Sequence, residues 1–162
     1  MKGRRVTFVL AAVTLGVLVL ASPGALREAL ERGEFYVFTS RFLEDIPRRL
    51  AGPGRFRFIV QPTLATLLGW RDGVADARAG RSPYLSALAS GAGTRGELVK
   101  SGLSVIANLL LMGILLDSVF QWVILGAVYP AAALVVGPVL IACPYAVARA
   151  LANRVARALW RG

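Results

Sequence analysis

Residues 103–148, LSVIANLLLMGILLDSVFQWVILGAVYPAAALVVGPVLIACPYAVA, decide the fold of this chain. The 46 residues contain no Lys, Arg or Glu, and Asp117 is their single formal charge. Apolar runs of about 18 residues or more are typical of helices that cross a membrane. One helix of this length would measure about 69 Å, more than twice the thickness of the hydrocarbon layer. The stretch therefore predicts two membrane-spanning helices that fold back on each other.

The turn between these two helices is predicted at Gly126–Pro130, because glycine and proline both interrupt helices. Tyr129 in this segment suits a membrane–water interface, where aromatic side chains with a polar tip are enriched. The two predicted spans are then residues 103–125 and residues 131–148.

The composition also indicates a membrane protein. Of the 162 residues, 56% are hydrophobic and 17% are charged, whereas globular chains average about 45–50% and about 25%. The net charge is +10, and basic residues beside apolar segments set membrane topology and meet anionic headgroups. We therefore expect the lipid bilayer, with its anionic headgroups, as a partner and expect no nucleic acid. The chain has no His, and its one Cys, Cys143, lies in an apolar run, so we expect no cofactor and no metal site.

The N-terminal segment begins with the basic residues MKGRR and continues without a charge from Val6 to Ala21. It is either a cleaved secretory signal or an uncleaved anchor whose basic end stays in the cytoplasm. The anchor is favoured, because the apolar run exceeds a typical signal core and the rest of the chain also belongs in a membrane. The first predicted span is residues 6–22. Ser22-Pro23 either starts a new short helix that runs to about Arg32 or continues the span with a kink.

Residues 35–50 show the periodicity of one helical face. The apolar positions are Phe35, Phe38, Phe42, Ile46 and Leu50. Pro47 interrupts this pattern, and Asp45 is expected to cap the helix that restarts there. The segment either lies in the headgroup layer as an interfacial amphipathic segment or packs as a small face over the helix bundle.

Residues 56–70 form an uncertain fourth span. Residues 58–70 are uncharged, but 13 residues are few compared with the roughly 20 that cross a bilayer. With this crossing, both termini are cytoplasmic, and the cytoplasmic side holds twelve Lys and Arg residues against seven on the other side. Without it, the Arg-rich C-terminal tail lies outside, against the positive-inside rule. We predict four spans, a helix with Pro62 near its start and Gly80 at its end, and a cytoplasmic loop over residues 71–101.

Polar residues in the hairpin are candidate functional groups. Gly113, Asp117 and Gln121 are spaced by four and share one helical face, whereas Asn108 lies half a turn away from it. A carboxylate at the depth of Asp117 costs a few kcal/mol, so it should be neutral or paired with an Arg near the outer interface. It is either a proton or cation site or a buried hydrogen bond that holds two helices together, with Gly113 allowing close approach. The second interpretation, a buried hydrogen bond between helices, is favoured.

A second candidate cluster consists of Arg71, Asp72, Asp76 and Arg78. Asp72 and Asp76 stand one helical turn apart, so the two carboxylates could share a cation or act as an acid–base pair. The alternative, which is favoured, is a solvated helix end with internal ion pairs of little energetic value. No nucleophile, phosphate-binding loop or cofactor motif accompanies the pair.

Two blocks of the sequence resemble a family of small, uncharacterised bacterial multi-span inner-membrane proteins. The first is residues 55–84, RFRFIVQPTLATLLGWRDGVADARAGRSPY, and the second combines residues 116–122, LDSVFQW, with Val128-Tyr-Pro130 and Pro144-Tyr145. The resemblance covers most of the chain after Phe35. It implies a membrane protein and brings no activity and no site residue with it.

The sequence thus predicts an all-α integral membrane helical bundle of the bacterial inner membrane. The favoured function is that of a non-catalytic accessory or self-associating component, with a second copy or another membrane protein as its partner. The first alternative is a small transporter or channel component that uses Asp117. A membrane-bound enzyme that uses Asp72 and Asp76 is the least favoured.

Overall fold

The computed structural model describes residues 2–91 and 95–161, and these residues form α-helices and one short 3₁₀ helix with no strand. In chain order the elements are α1 (Lys2–Arg32), the 3₁₀ helix Tyr36–Phe38, α2 (Ser40–Glu44), α3 (Ile46–Ala51), α4 (Arg57–Arg78), α5 (Tyr84–Ser90), α6 (Arg95–Leu125) and α7 (Pro130–Arg161). The predicted all-α fold is confirmed.

Three helical stretches in the described part of the chain are long and apolar enough to cross a membrane. They are Arg4–Arg32, Arg95–Leu125 and Pro130–Trp160. This supports a multi-pass membrane protein. Helix α4 has 22 residues, which is about 33 Å of helix, but it is not among the three because it is less apolar.

Helices α6 and α7 form the predicted hairpin. Helix α6 ends at Leu125, Gly126 adopts a left-handed conformation with φ +72°, and α7 begins at Pro130. Both helices extend beyond the predicted spans, because the polar residues outside the apolar run continue the helices at their far ends. The two helices approach closely at Gly113 and Gly137, since a Cβ on Gly137 would lie 2.9 Å from the backbone nitrogen of α6 at Ile114. The expected close approach at Gly113 is confirmed.

Helix α1 is continuous through Pro23, so of the two alternatives at Ser22-Pro23 the structure shows the continued span and not a new short helix. Proline inside a helix removes one backbone hydrogen bond, and membrane-spanning helices tolerate this where neighbouring groups satisfy the freed carbonyl. Most of its surface is uncovered by the rest of the chain: Phe8 is 75% exposed and Leu20 is 83% exposed. In a membrane these side chains contact lipid.

The direction of α1 follows from its contacts with the hairpin. Near its start, Thr7 donates a hydrogen bond to Asn108 of α6 at 2.7 Å. Near its end, Glu28 accepts a hydrogen bond from the Tyr129 hydroxyl at 3.0 Å, in the turn that follows α6. Helix α1 therefore runs parallel to α6.

Helix α4 packs along α7 through a stripe of small buried residues. The stripe consists of Ala65, Gly69, Gly73 and Ala77, which recur at every fourth position. A Cβ on Gly73 would collide with the carbonyl oxygen of Arg149, and one on Gly69 with that of Tyr145. The backbones of the two helices therefore touch, and because Gly69 lies beside Tyr145 and Gly73 beside Arg149, α4 runs parallel to α7.

Two sequence expectations for this region need correction. Helix α4 begins at Arg57, so Pro62 lies inside the helix and not in its first turn. Residues 71–101, predicted as the cytoplasmic loop, hold the last turns of α4, as the predicted helix end at Gly80 implies, and also all of α5 and the start of α6. The helix extends to Arg78 because its buried end packs on α7, and Gly80, with φ +70°, follows just after it.

The amphipathic segment is broken into the 3₁₀ helix, α2 and α3. Its buried residues are Tyr36 and Arg49, whereas most of the predicted apolar positions are exposed. Asp45 does not cap α3 with its side chain, because its carboxylate is engaged with Tyr36 and Arg48 instead. The segment lies over the end of the bundle where α6 turns into α7, and its polar side chains hold it there. Its exposed phenylalanines remain available to the headgroup layer.

We expect Gly73→Ala to lower the free energy of unfolding by about 1–3 kcal/mol, because the added methyl group must force α4 and α7 apart. Thermal unfolding in detergent measures the change. The matched control is Gly16→Ala, since a Cβ on Gly16 meets nothing within 4 Å. Equal midpoints for the two variants would contradict the close packing of α4 on α7.

Candidate functional site

The first candidate site is the Asp117 cluster, which consists of Asp117, Gln121, Arg49 and Arg57. Asp117 and Gln121 lie on the buried face of α6 together with Gly113, as their spacing predicts. Arg57 is the first residue of α4, and Arg49 lies in α3. The cluster therefore joins α3, α4 and α6.

Two arginines approach one carboxylate in this cluster. Arg57 Nη1 lies 2.6 Å from Asp117 Oδ1, and Arg49 Nη1 lies 3.6 Å from the same oxygen. The expected pairing of Asp117 with arginine is confirmed. Removal of water from both partners strengthens their attraction but also costs hydration energy, so the pair fixes geometry more than it adds net stability.

Gln121 connects the pair to the hairpin turn. Its side-chain nitrogen donates to Asp117 Oδ2 at 2.5 Å, and its side-chain oxygen accepts from the backbone N–H of Tyr129 at 2.7 Å. The second bond satisfies a donor just before α7 begins. Asp117 thereby has a hydrogen bond on Oδ2, whereas Oδ1 has the ion-pair contacts with Arg57 and Arg49 and no hydrogen bond.

Tyr36 extends the cluster towards the surface. Its ring stacks on Tyr129 with centroids 3.8 Å apart, and its hydroxyl donates to Asp45 at 2.9 Å and accepts from Arg49 at 3.3 Å. Burial, followed by the hydrogen bond to Asp45, raises the pKa of Tyr36 to about 12. The phenol therefore stays neutral and acts as both donor and acceptor.

Aromatic rings enclose the two guanidinium groups. The guanidinium carbon of Arg57 lies 4.7 Å from the centre of the Phe58 ring and 5.5 Å from that of the Phe120 ring. The guanidinium carbon of Arg49 lies 5.6 Å from the centre of the Phe42 ring. Such contacts stabilise a cation through the negative face of the ring and shield it from solvent and lipid.

The second candidate site, the Asp76 cluster, lies at the opposite end of α4. It consists of Asp72, Asp76, Arg81, Tyr145 and Arg149. Buried Asp76 accepts from Arg149 Nε at 2.7 Å and from Arg81 Nη1 at 3.1 Å. Asp72 accepts from the Tyr145 hydroxyl at 2.8 Å, and that hydroxyl accepts from Arg149 Nη1 at 3.1 Å. Each carboxylate has its own partners, and the bonds join α4 to α7.

The structure separates the remaining candidates from these two clusters. Arg71 is the exception: it is exposed but touches the edge of the Asp76 cluster through its neighbour Asp72. Arg78 lies over the ring of Trp160. Asn108 faces α1, as its position half a turn from Asp117 predicts. Among the described residues no group of three or more His, Cys, Asp or Glu is placed to hold a metal ion.

Sequence reasoning missed five residues that complete the two clusters: Arg49, Arg57, Arg81, Tyr145 and Arg149. The arginines were counted only as topology signals. Their one distinguishing feature in the sequence is that Arg57 and Arg149 directly border uncharged runs. That position places a guanidinium at the edge of the apolar layer, within reach of a carboxylate on a neighbouring helix.

An apolar layer separates the two clusters. It is a core of fully or nearly fully buried side chains. Partly buried apolar residues pack against this core: Leu68, Leu109, Leu110 and Ala142. The central residues are Ala65, Ile106, Ile141 and Tyr145, whose ring belongs to this layer while its hydroxyl reaches the Asp76 cluster. The layer fills the middle of α4, between Gln61 and Asp72, which are about 16 Å apart along the helix.

Comparison of the chain with protein-family models, curated proteins and solved structures gives no match. The resemblance to small bacterial membrane proteins therefore stays a prediction.

We expect Asp117→Leu to destabilise the protein by about 3–5 kcal/mol, because two buried guanidinium groups lose their counter-charge. Chemical or thermal unfolding in detergent measures the loss. Adding Arg57→Leu to this variant should recover part of it, since one of the uncompensated cations is then removed.

The control for this experiment is Glu31→Ala, which breaks an exposed ion pair with Arg27 on α1. Exposed pairs contribute about 0–1 kcal/mol, so this variant should unfold close to wild type. A similar small effect for Asp117→Leu would show that the Asp117 cluster does not hold α6 to α4.

Proposed function

We propose that the chain is a four-span protein of the bacterial inner membrane with both termini in the cytoplasm. The parallel course of α1 and α6 supports this layout. If both helices cross the membrane in the same direction, the chain between them must return across it. Helix α4, antiparallel to α6 and parallel to α7, is the segment in position to do so.

The spacing of the two clusters supports the same layout. Arg57 and Asp76 are separated by about 28 Å along α4, close to the roughly 30 Å of hydrocarbon in a bilayer. No charged residue lies between Arg57 and Arg71. The buried charges of α4 are paired with α6 and α7, so a shorter apolar run suffices for this helix than for one surrounded by lipid.

Single cysteines in a Cys143→Ser background test the layout. We expect a cysteine at Glu34 to react with a membrane-impermeant maleimide added to intact cells, and cysteines at Ser82 and Arg161 to react only after permeabilisation. A three-span protein would instead expose Ser82 and Arg161 together with Glu34. Cysteine at Phe8, in the lipid-facing part of α1, is the unreactive control.

Within this layout the chain acts as a non-catalytic membrane component, either an accessory subunit of a larger membrane protein or a self-associating bundle. The observation that carries this function is the pairing of the buried carboxylates with side chains of neighbouring helices. In both clusters the carboxylates bond to side chains on another helix. Their role is therefore to hold the helices of the bundle together. The surface left for a partner is apolar, above all the uncovered face of α1.

The alternative, transport through Asp117, needs a polar route across the bundle. The apolar layer between the clusters lies in the way of such a route. Enzyme chemistry at Asp72 and Asp76 is disfavoured for a related reason, since Tyr145, Arg149 and Arg81 already take up the carboxylate oxygens.

Two measurements test the function. We expect proteoliposomes with wild type and with Asp117→Asn to show equal, background-level proton and cation flux. We also expect in-cell cross-linking from a cysteine at Leu20 of α1 to give a discrete product, either a dimer or a complex with one membrane protein, in contrast to a cysteine at Ile141 in the core. Flux that is present in wild type and lost in Asp117→Asn would replace this function with transport.

A further inference from the structure

The buried charges of the Asp117 cluster do not balance. Arg49 and Arg57 are each 2% exposed, and Asp117 is fully buried. Among residues 2–91 and 95–161, Asp117 is the single carboxylate within ion-pair distance of either arginine. Asp45 reaches Arg49 only through the Tyr36 hydroxyl and is itself paired with exposed Arg48, so one positive charge is left over in the buried cluster, where an uncompensated charge is strongly unfavourable.

The unpaired N–H groups of the cluster define where the counter-charge would lie. Arg57 meets Asp117 through Nη1, whereas Nε and Nη2 have no hydrogen-bond partner. These two nitrogens form the side edge of the guanidinium, the edge that presents two parallel N–H groups to an anion. Arg49 Nε is unpaired as well.

Gln61 supplies an independent observation. It lies one turn after Arg57 on the buried stripe of α4 and is only 4% exposed, yet neither its amide nitrogen nor its amide oxygen has a partner. Its oxygen is 3.7 Å from the position that a Cβ on Gly113 would occupy, which places the amide against α6 one turn from Asp117. Buried amides are nearly always hydrogen-bonded, so the unpaired N–H groups of Gln61 point to a bound acceptor.

We propose that Arg49, Arg57 and Gln61 hold one small monovalent anion of halide size, such as chloride. One negative charge neutralises the surplus positive charge, and the ligands are the guanidinium edge of Arg57, Nε of Arg49 and the amide N–H of Gln61. The unpaired atoms are enclosed by protein, which favours a compact ion over the phosphate of a lipid headgroup. The site is independent of the proposed function, because the anion acts as a structural ligand whether or not the bundle binds a partner.

The test is a halide titration of the purified wild-type protein in detergent at constant ionic strength, with gluconate replacing the halide. A ligand that binds only the folded state raises the unfolding midpoint with its concentration. We expect chloride or bromide to raise it by about 3–5 °C for each tenfold increase above the dissociation constant. Intrinsic fluorescence of the three Trp residues follows the unfolding.

Two variants and one control locate the effect. Gln61→Leu should weaken the halide response, and Arg49→Leu should abolish it, because the latter removes the surplus charge as well as a ligand. Arg55→Leu, an exposed arginine next to the cluster, should respond like wild type. In crystals grown with bromide, an anomalous peak should lie beside the side edge of Arg57.

Three results would overturn the site. They are equal wild-type midpoints in chloride and gluconate, a halide response that persists in Arg49→Leu, and stabilisation by anionic phospholipid with none by halide. The first and third concern wild type alone, so the proposal stays falsifiable if a variant does not fold. The third would assign the unpaired nitrogens to a headgroup phosphate.

Discussion

The contact between Asp117 and Arg57 is the constraint on which the rest of the bundle depends. Neither group is stable alone in an apolar interior, so α4 and α6 must meet at this level. Gln121 then fixes the second carboxylate oxygen and the backbone at the hairpin turn. Because Tyr129 in that turn stacks on Tyr36, the same contact also determines where the segment after α1 folds over the bundle. One carboxylate thus sets the position of four elements.

Helix α4 depends on both ends being fixed. Its first turn is held by Asp117 and its last turns by Arg149, with the small-residue stripe between them in contact with α7. Small residues permit the dispersion contacts that replace hydrophobic driving force in lipid, and the terminal ion pairs set the register. A shift by one turn would move Gly73 away from Arg149 and leave Arg57 without Asp117. The polar ends and the small-residue middle therefore specify the same alignment.

Much of this arrangement can be predicted from the periodicity within one helix. The remaining part depends on contacts between residues that are far apart in the sequence. The shared face of Gly113, Asp117 and Gln121 and the turn at Gly126 are local properties of residues 103–148, and both were predictable. Arg49 and Arg57 are separated from Asp117 by 60 residues or more, and no local pattern distinguishes them from the other arginines. Which residues of the amphipathic segment are buried could not be predicted for a similar reason. Its phenylalanines carry the periodicity, but the energetics of burial are decided by Tyr36 and Arg49, which find partners on other elements.

In the proposed four-span layout, the partners of α4 also impose an order of assembly. The uncharged run of α4 is short, and an arginine or aspartate placed in lipid costs a few kcal/mol until it is paired. Asp117 and Arg149 belong to α6 and α7, which are synthesised after α4. The hairpin is apolar enough to insert without help, whereas α4 reaches its stable transmembrane position only when the hairpin supplies the counter-charges. The ion clusters at the two ends of α4 thus couple its insertion to the folding of the bundle, which accounts for strong pairing in a helix of modest apolarity.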